Sequence, residues 1–449
     1  MAISYVTQEP IYLIGCINEI GNRQKADNIT GLLGKTSLEK YFKNSVSTLN
    51  KGFLLHIGID GFKMINEKYG WDYGDYILRE TASCILSCIS DSQKVYKIAS
   101  DEFIILDTTS SDMTTASNLY DHICKHINQF IEENNFAAVF TISAGILPLP
   151  DLSQTGYAEI IKRTDFSLTM AKQHGRNCCY IFREEEYQNF LRIREITNEL
   201  HSAVNHDFRG FSIFFQPIID IRQDKLTGAE VLIRFTSKKF AQISPAEFIP
   251  LLETSGLIIP IGRWLIREAI TACRKIRMQL PDFKVNINVS QVQITNSDVI
   301  TDLIKEMNAS GLPHTAIVIE LTESILLEKN EKAQNFLKEL KQAGLQLALD
   351  DFGTGYSNFH YLSELHPDIV KIDRGFTSKA ITDKKEYYLL NQFSNMIHNL
   401  GLKLCIEGIE TEDELQKMKL LKPDYCQGFY WGQPCLYDEF RKYFVDVKR

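Results

Sequence analysis

In the second half of the sequence, acidic and amide side chains recur inside or just after short apolar segments. They are Glu230 in GAEVLIRF, Asn288 in NINVS, Glu320 and Glu323 in IELTE, and Asp350 and Asp351 in LALDDFGTG. Lys371 in IVKID, Glu407 in CIEGIE and Gln427 in CQGFYWG complete the set. Gathered in one place, such carboxylates would repel one another and take up protons unless a cation sat among them. Carboxylate and amide oxygens are hard ligands, and with no thiolate or imidazole in the set they suit Mg²⁺, Mn²⁺ or Ca²⁺ rather than zinc. Adjacent Asp350 and Asp351 could serve two neighbouring ions or share one. Two ions about 4 Å apart can deprotonate a bridging water and hold a phosphoryl oxygen, a common arrangement in phosphodiester hydrolysis. The following Gly353 and Gly355 give a loop with little Cβ restraint. Lys371 could neutralise a phosphate oxygen or the attacking water's charge. Any one acid alone would pass as a strand-end ion-pair partner. The set as a whole has too few cations in its own motifs for that.

From about Phe211 the pattern needed to position them is visible. Apolar strands at Phe211–Ile219, Gly228–Phe235, Val285–Val289, Ile317–Leu321, Leu345–Leu349, Ile369–Ile372, Leu402–Ile406 and Tyr425–Tyr430 alternate mostly with amphipathic helices. Strands and helices in that order over about 240 residues predict a (β/α)8 TIM-type barrel, whose strand ends converge on one mouth. The region from Asp27 to Glu185 mixes strands (Gly52–Ile59, Phe140–Leu147), a hairpin over Val95–Leu106 and helices (Tyr76–Ile89, Glu159–Lys172). That mixture predicts an α+β sandwich. Glu184 to Val204 is charged and helical and joins the halves, while Ile11–Cys16 reads as one strand at the end of something larger.

The 449 residues predict two or three domains, and 44% hydrophobic with 24% charged residues is ordinary for a soluble globular chain. Lys+Arg 49 against Asp+Glu 57 gives a net charge of −8, which disfavours nucleic acid polymers and anionic lipid as partners. The ten cysteines show no C-x-x-C and no Cys/His cluster with zinc spacing, so they read as reduced cytoplasmic thiols, and the ten histidines as surface or core residues. No apolar run reaches the roughly 18 residues of a membrane span, and no signal peptide pattern opens the chain.

The second half resembles the EAL domain family, bacterial phosphodiesterases that open cyclic di-GMP to linear pGpG. The resemblance runs in order through FFQP at Phe214, GAEVLIRF, SPAEFIPLLETSGLI at Ser244, NVS, ELTES, DDFGTGYSNFHYL, PDIVKIDRGF at Pro367, IEGIE and QGFYWGQP. It implies two Mg²⁺ or Mn²⁺ ions, held by Glu230, Asn288, Glu320, Asp350 and Glu407, with Asp351 serving the second. It implies Lys371 and Gln427 near the attacking water, with Glu407 also a candidate for activating that water. Glu323 would fix the loop after Asp350, and Gln216, Leu232 and Arg234 would contact the dinucleotide. Val231 stands where the family's name motif has alanine, which adds volume and removes no ligand. The family's barrel has one reversed strand, and its members commonly form homodimers.

The first half resembles the GGDEF domain family, which makes the same messenger from two GTP. The match runs from DNITGL at Asp27 through IDGFKMINEKYGWDYGD to AKQHGRN at Ala171. The family's central glycines are replaced here by Ala99 and Ser100, followed by Asp101, Glu102 and Phe103. Its first metal-binding aspartate is Gly58, and Ser90 and Gln93 take the places of its inhibitory arginine–aspartate motif. Asn66 and Asp75 match guanine-binding positions, and Lys63, Lys172 and Arg176 match basic residues near phosphates. The resemblance therefore implies a degenerate cyclase domain that binds GTP and regulates the barrel, or one that only packs or dimerises. Ile11 to Asp27 resembles the end of a PAS-type sensor and a signalling helix. The expected organisation is a sensor end and helix over 1–26, a degenerate GGDEF domain over 27–185, a connecting helix over 186–210 and an EAL domain over 211–449. A non-catalytic cyclic di-GMP receptor and a bifunctional cyclase–phosphodiesterase are the competing readings.

Overall fold

The computed structural model describes residues 26–45, 51–110, 112–134, 138–149, 155–322, 331–353 and 366–445. The expected sensor end upstream of Ala26 lies outside these residues. The chain divides into two compact units, Met1–Leu191 and Arg192–Arg449, and the boundary falls inside the helix Glu184–Asn205.

The first unit is built on a six-stranded sheet. Its strands are β1 (Leu33–Gly34), β2 (Phe53–Ile59), β3 (Gln93–Lys97), β4 (Glu102–Asp107), β5 (Ile142–Pro148) and β6 (Cys179–Ile181), in the order β1-β3-β4-β2-β5-β6. β2 is buried at every position, as an apolar central strand covered on both faces must be. Strand alternation sends Phe53, Leu55, Ile57 and Ile59 into one core with Ile77 and Ile85 of the helix Trp71–Cys88 and Ile123 and Ile127 of the helix Met113–Glu133. Leu54 points the other way, into a core with Leu38 and Phe42 of the helix Lys35–Ser45 and Ile160 of the helix Tyr157–Gln173. The result is an α/β/α sandwich.

The second unit holds the eight expected strands: β7 (Phe211–Asp220), β8 (Lys225–Ser237), β10 (Lys284–Asn288), β11 (Ile317–Thr322), β12 (Gln346–Phe352), β13 (Ile369–Ile372), β14 (Lys403–Ile406) and β15 (Tyr425–Gln427). A short β9 (Ala241–Ile243) extends β8 outside them. Pairing runs β10-β11-β12-β13-β14-β15-β7-β8, and β8 pairs back onto β10 and closes the barrel. Around the barrel all pairings are parallel except those of β7, antiparallel to both neighbours. The cause is local: only Ile221–Asp224 separate β7 from β8, too few residues for a crossover and enough for a hairpin.

Inside the barrel, Ile218, Val318, Ala348, Ile369, Cys405 and Tyr425 form a buried apolar layer drawn from six strands. Side chains repeat their facing every two residues along a strand. Two positions toward the mouth from each of these stand Gln216, Glu320, Asp350, Lys371, Glu407 and Gln427. One layer of apolar side chains therefore fixes the height of one layer of polar ones.

Candidate functional site

The polar layer centres on Lys371, whose side chain is 1% exposed. Its Nζ lies 3.2 Å from Glu230 Oε2, 2.9 Å from Glu320 Oε1, 3.1 Å from Asp350 Oδ1 and 2.7 Å from Glu407 Oε1. Burial works against the ammonium charge, yet Glu230, Glu320, Glu407 and Asp350 together hold Lys371 well above its ordinary value. One positive charge cannot satisfy four carboxylates, and the imbalance appears in their protonation. Burial opposes the charge of Glu230, but Lys371 and hydrogen bonds from Gln427 and Asn288 keep it below the usual carboxylate value. Burial and the neighbouring Glu230 charge push Glu320 well above it. Burial lifts Glu407 to about 8 even against Lys371, with Asp350 adding to the rise.

Amides orient these acids. Asn288 Nδ2 donates to Glu230 Oε1 at 2.8 Å, which directs the Asn288 carbonyl away from that carboxylate. Gln427 Nε2 donates to Glu230 Oε2 at 2.8 Å and to Gln216 Oε1 at 2.9 Å. Asn286, buried at 5% exposure, donates to Glu320 Oε1 at 2.7 Å. Sequence reasoning missed Asn286, although its spacing from Asn288 in KVNIN already puts both on one strand face.

Two buried oxygens, Glu320 Oε2 and Gln427 Oε1, have no hydrogen-bond partner. Glu230, Glu320 and Asp350 each offer an oxygen within 4.8 Å of the other two. Unsatisfied buried oxygens beside a surplus of carboxylates are what a hard divalent cation would complete, so the residues fit Mg²⁺ or Mn²⁺.

Asp351 departs from strand geometry. Its φ is +54°, and the register of β12 against β13 shifts between Leu349 and Phe352. The irregularity breaks the usual alternation. Asp351 is half-buried, and burial together with the Asp350 charge raises its carboxyl, with Asp373, Lys371 and Glu230 also felt.

Across the β7–β8 hairpin, Gln216 pairs with Glu230, Phe214 with Leu232 and Ser212 with Arg234. Leu232 and Arg234 therefore continue the Glu230 face toward the rim, and both are half-buried. The Arg234 guanidinium lies 5.4 Å from the Phe214 ring centroid. Glu323 lies outside the described residues.

In the first unit several of the expected nucleotide residues adjoin the end of β2, where the Asp101 carbonyl accepts from Ile59 N at 3.2 Å and Asp60 Oδ2 accepts from Asn177 N, next to Arg176, at 3.3 Å. Lys172 Nζ lies 3.9 Å from Glu102 Oε1, and a Cβ added at Gly58 would sit 3.0 Å from that same Nζ. An ammonium thus stands beside the position where the family has a carboxylate. Asp60 accepts from Thr141 Oγ1 at 2.7 Å and Ser143 Oγ at 2.8 Å. Lys97 donates to the carbonyls of Ala99 and, at 2.7 Å, Ser100, which fixes the turn between β3 and β4. Burial lowers Lys97 to about 8. That turn borders a cleft lined by Asp27, Ile29, Leu78, Lys97, Ala99 and Ser100. Asp101 accepts from Ser100 Oγ at 2.8 Å. Asn66 is packed against Gly74, next to the half-buried Asp75. Lys63 is exposed and lies 3.7 Å from Glu67, and Arg176 is exposed with φ +62°. Ser90 and Gln93 close on each other, Gln93 Oε1 accepting from Ser90 N at 3.0 Å.

The second unit is a TIM-type barrel with one reversed strand and a cation-poor acidic mouth. The family model described as the EAL domain matches residues 197–434, and that described as the diguanylate cyclase GGDEF domain matches 24–178. The chain belongs to the EAL domain family and carries a GGDEF domain ahead of it.

The bifunctional diguanylate cyclase/cyclic di-GMP phosphodiesterase MucR of Pseudomonas aeruginosa is 28% identical over 416 residues, which cover 91% of this chain and 60% of the relative. The cyclic di-GMP phosphodiesterase PdeR of Escherichia coli is 28% identical over 410 residues, covering 91% and 61%. The chain thus spans about 60% of the length of these relatives. A solved structure of the PaMucR phosphodiesterase in complex with c-di-GMP is similar with a TM-score of 0.51 and 28% identity, over 55% of this chain and 99% of that one. The EAL enzyme Bd1971, in its cAMP- and cyclic-di-GMP-bound form, gives a TM-score of 0.55 and 25% identity over 77% and 81%. Among the described residues, no helix is long and apolar enough to cross a membrane.

Proposed function

We propose that the barrel hydrolyses one phosphodiester bond of cyclic di-GMP to give linear pGpG. The observation that carries this reading is the group of buried Glu230, Glu320 and Asp350 and half-buried Glu407 around a single ammonium, with Glu320 Oε2 and Gln427 Oε1 unpartnered. Glu230, Asn288, Glu320, Asp350 and Glu407 would hold Mg²⁺ or Mn²⁺, and Asp351 would help to hold a second ion. Bound ions would supply Lewis acidity that neutralises a phosphoryl oxygen and acidifies water.

The chain's own groups do the rest. Gln427 Oε1 is free to accept from the attacking water, and Lys371 holds positive charge beside it. Glu407, with its raised carboxyl, is placed to exchange a proton with that water. The water oxygen bonds to phosphorus, the bond to the 3′ oxygen breaks, and the departing oxygen takes up a proton. Gln216, Leu232 and Arg234 line the rim on which the dinucleotide would lie.

We further propose that the GGDEF domain is degenerate, binds GTP and regulates the barrel rather than cyclising GTP. The Lys172 ammonium beside Gly58 supports this, because it competes for the place of a cation that cyclisation needs. Asn66, Asp75, Lys63, Arg176 and Asp101 are the remaining candidates for nucleotide contact. Control by an upstream sensor and by homodimerisation belongs to the same proposal.

The test is to incubate the chain with cyclic di-GMP and Mg²⁺ or Mn²⁺ and follow pGpG by chromatography. Turnover that E230Q loses and EDTA suppresses is expected. Tight binding without pGpG would replace the enzyme with a receptor, and product from GTP would revive the bifunctional reading. Calorimetry with GTP and Mg²⁺ that shows no heat would remove the regulatory ligand.

A further inference from the structure

We infer that Cys88, His122 and His126 form a binding site for a divalent d-block cation of the zinc class, separate from the barrel. One ligand atom from each of the three lies within 4.8 Å of those of the other two. Tetrahedral coordination at 2.0–2.3 Å places neighbouring ligand atoms about 3.3–3.8 Å apart, so side-chain adjustment without backbone movement closes the site. His122 and His126 stand four residues apart on the helix Met113–Glu133, hence on one face, with ring centroids 4.7 Å apart. Cys88 is the last residue of the helix Trp71–Cys88. Unpaired carbonyls at a helix C-terminus carry partial negative charge that favours a cation there.

The two helices are held by the same core. Ile85 on one and Ile123 and Ile127 on the other are at most 2% exposed. The ligands therefore hang from a scaffold that packing alone makes rigid. Cys88 and His126 are half-buried and His122 is exposed, so an ion can reach them from solvent. Thiolate and imidazole suit zinc and its neighbours and not the hard cation the barrel fits. Three protein ligands leave a fourth position for water or another donor. Binding would remove the thiol proton and tie the end of one helix to the middle of the other.

The experiment titrates the reduced full chain with Co²⁺ in excess Mg²⁺ and follows thiolate-to-cobalt charge-transfer absorption, which oxygen ligands of the barrel do not give. The expected result is a band that saturates at one equivalent, is displaced by Zn²⁺, disappears in C88S and needs at least tenfold more Co²⁺ in H126Q. Circular dichroism of each variant checks that the fold is kept, and H122Q serves as the second imidazole variant. Absence of the band in the wild-type chain, or its persistence in C88S, overturns the site. An unchanged titration in both H122Q and H126Q overturns the ligand set.

Discussion

Cation binding at the barrel mouth should be proton-linked, and the structure fixes the sign. Without a cation, burial holds Glu407 at about 8, so at pH 7 that carboxyl is about nine-tenths protonated. A cation that takes Glu407 as a ligand must displace this proton, and Glu320, also pushed well above its ordinary value, adds to the release. Mg²⁺ titrations by calorimetry at pH 7, in two buffers of different ionisation enthalpy, should give about one proton or more released per site filled. Apparent affinity should rise about tenfold per pH unit for each proton released and flatten above about 8. E407Q should lower the count by about one. In the cation-free chain, Glu407 binds a proton in the folded state that the unfolded state sheds above its ordinary value. Its stabilising contribution is full below about 4.5 and is lost as pH rises through about 8. Zero proton release together with pH-independent affinity between 6 and 8 would refute the reasoning.

Under the proposed function, E230Q and D350A should abolish pGpG formation while circular dichroism stays that of the wild-type chain, since each removes a carboxylate that would hold an ion and neither leaves a large apolar hole. N286L removes the hydrogen bond to Glu320 and should weaken Mg²⁺ about 10–100-fold by calorimetry, the usual cost of losing a partner that orients a ligand. Asp351 sits at φ +54°, which asparagine tolerates better than alanine, so D351A should unfold at lower urea than D351N, by about 1 kcal/mol. Both Asp351 variants should lose turnover, which separates the strain of the residue from the role of its carboxylate.

The barrel was legible because each strand is a short apolar run and the polar residues fall inside or just after those runs. The reversed β7 was not legible from the pattern, since alternation along Phe211–Asp220 is blind to strand direction; the resemblance to the EAL family supplied it. Asn286 was not legible, because it sits within an apolar strand and its amide meets Glu320 of another strand, a contact that spacing does not encode. The central place of Lys371 was hidden for a different reason: its four partners come from four other chain segments, and spacing says nothing about which of them meet. Spacing puts His122 and His126 on one helix face but says nothing of Cys88 joining them. The three belong to two helices that only the shared core of Ile85 and Ile123 brings side by side.

The hydrocarbon layer of Ile218, Val318, Ala348, Ile369, Cys405 and Tyr425 has a kinetic consequence for the acids above it. It forms an apolar floor beneath them, and a cavity lined by Ile218, Val318, Ile369, Cys405 and Tyr425 reaches Lys371 from that side, while the rim on the other side is where a dinucleotide would rest under the proposed function. A dinucleotide seated there would cover the acids from the rim side, so ions that bind them would exchange more slowly with it in place than without it.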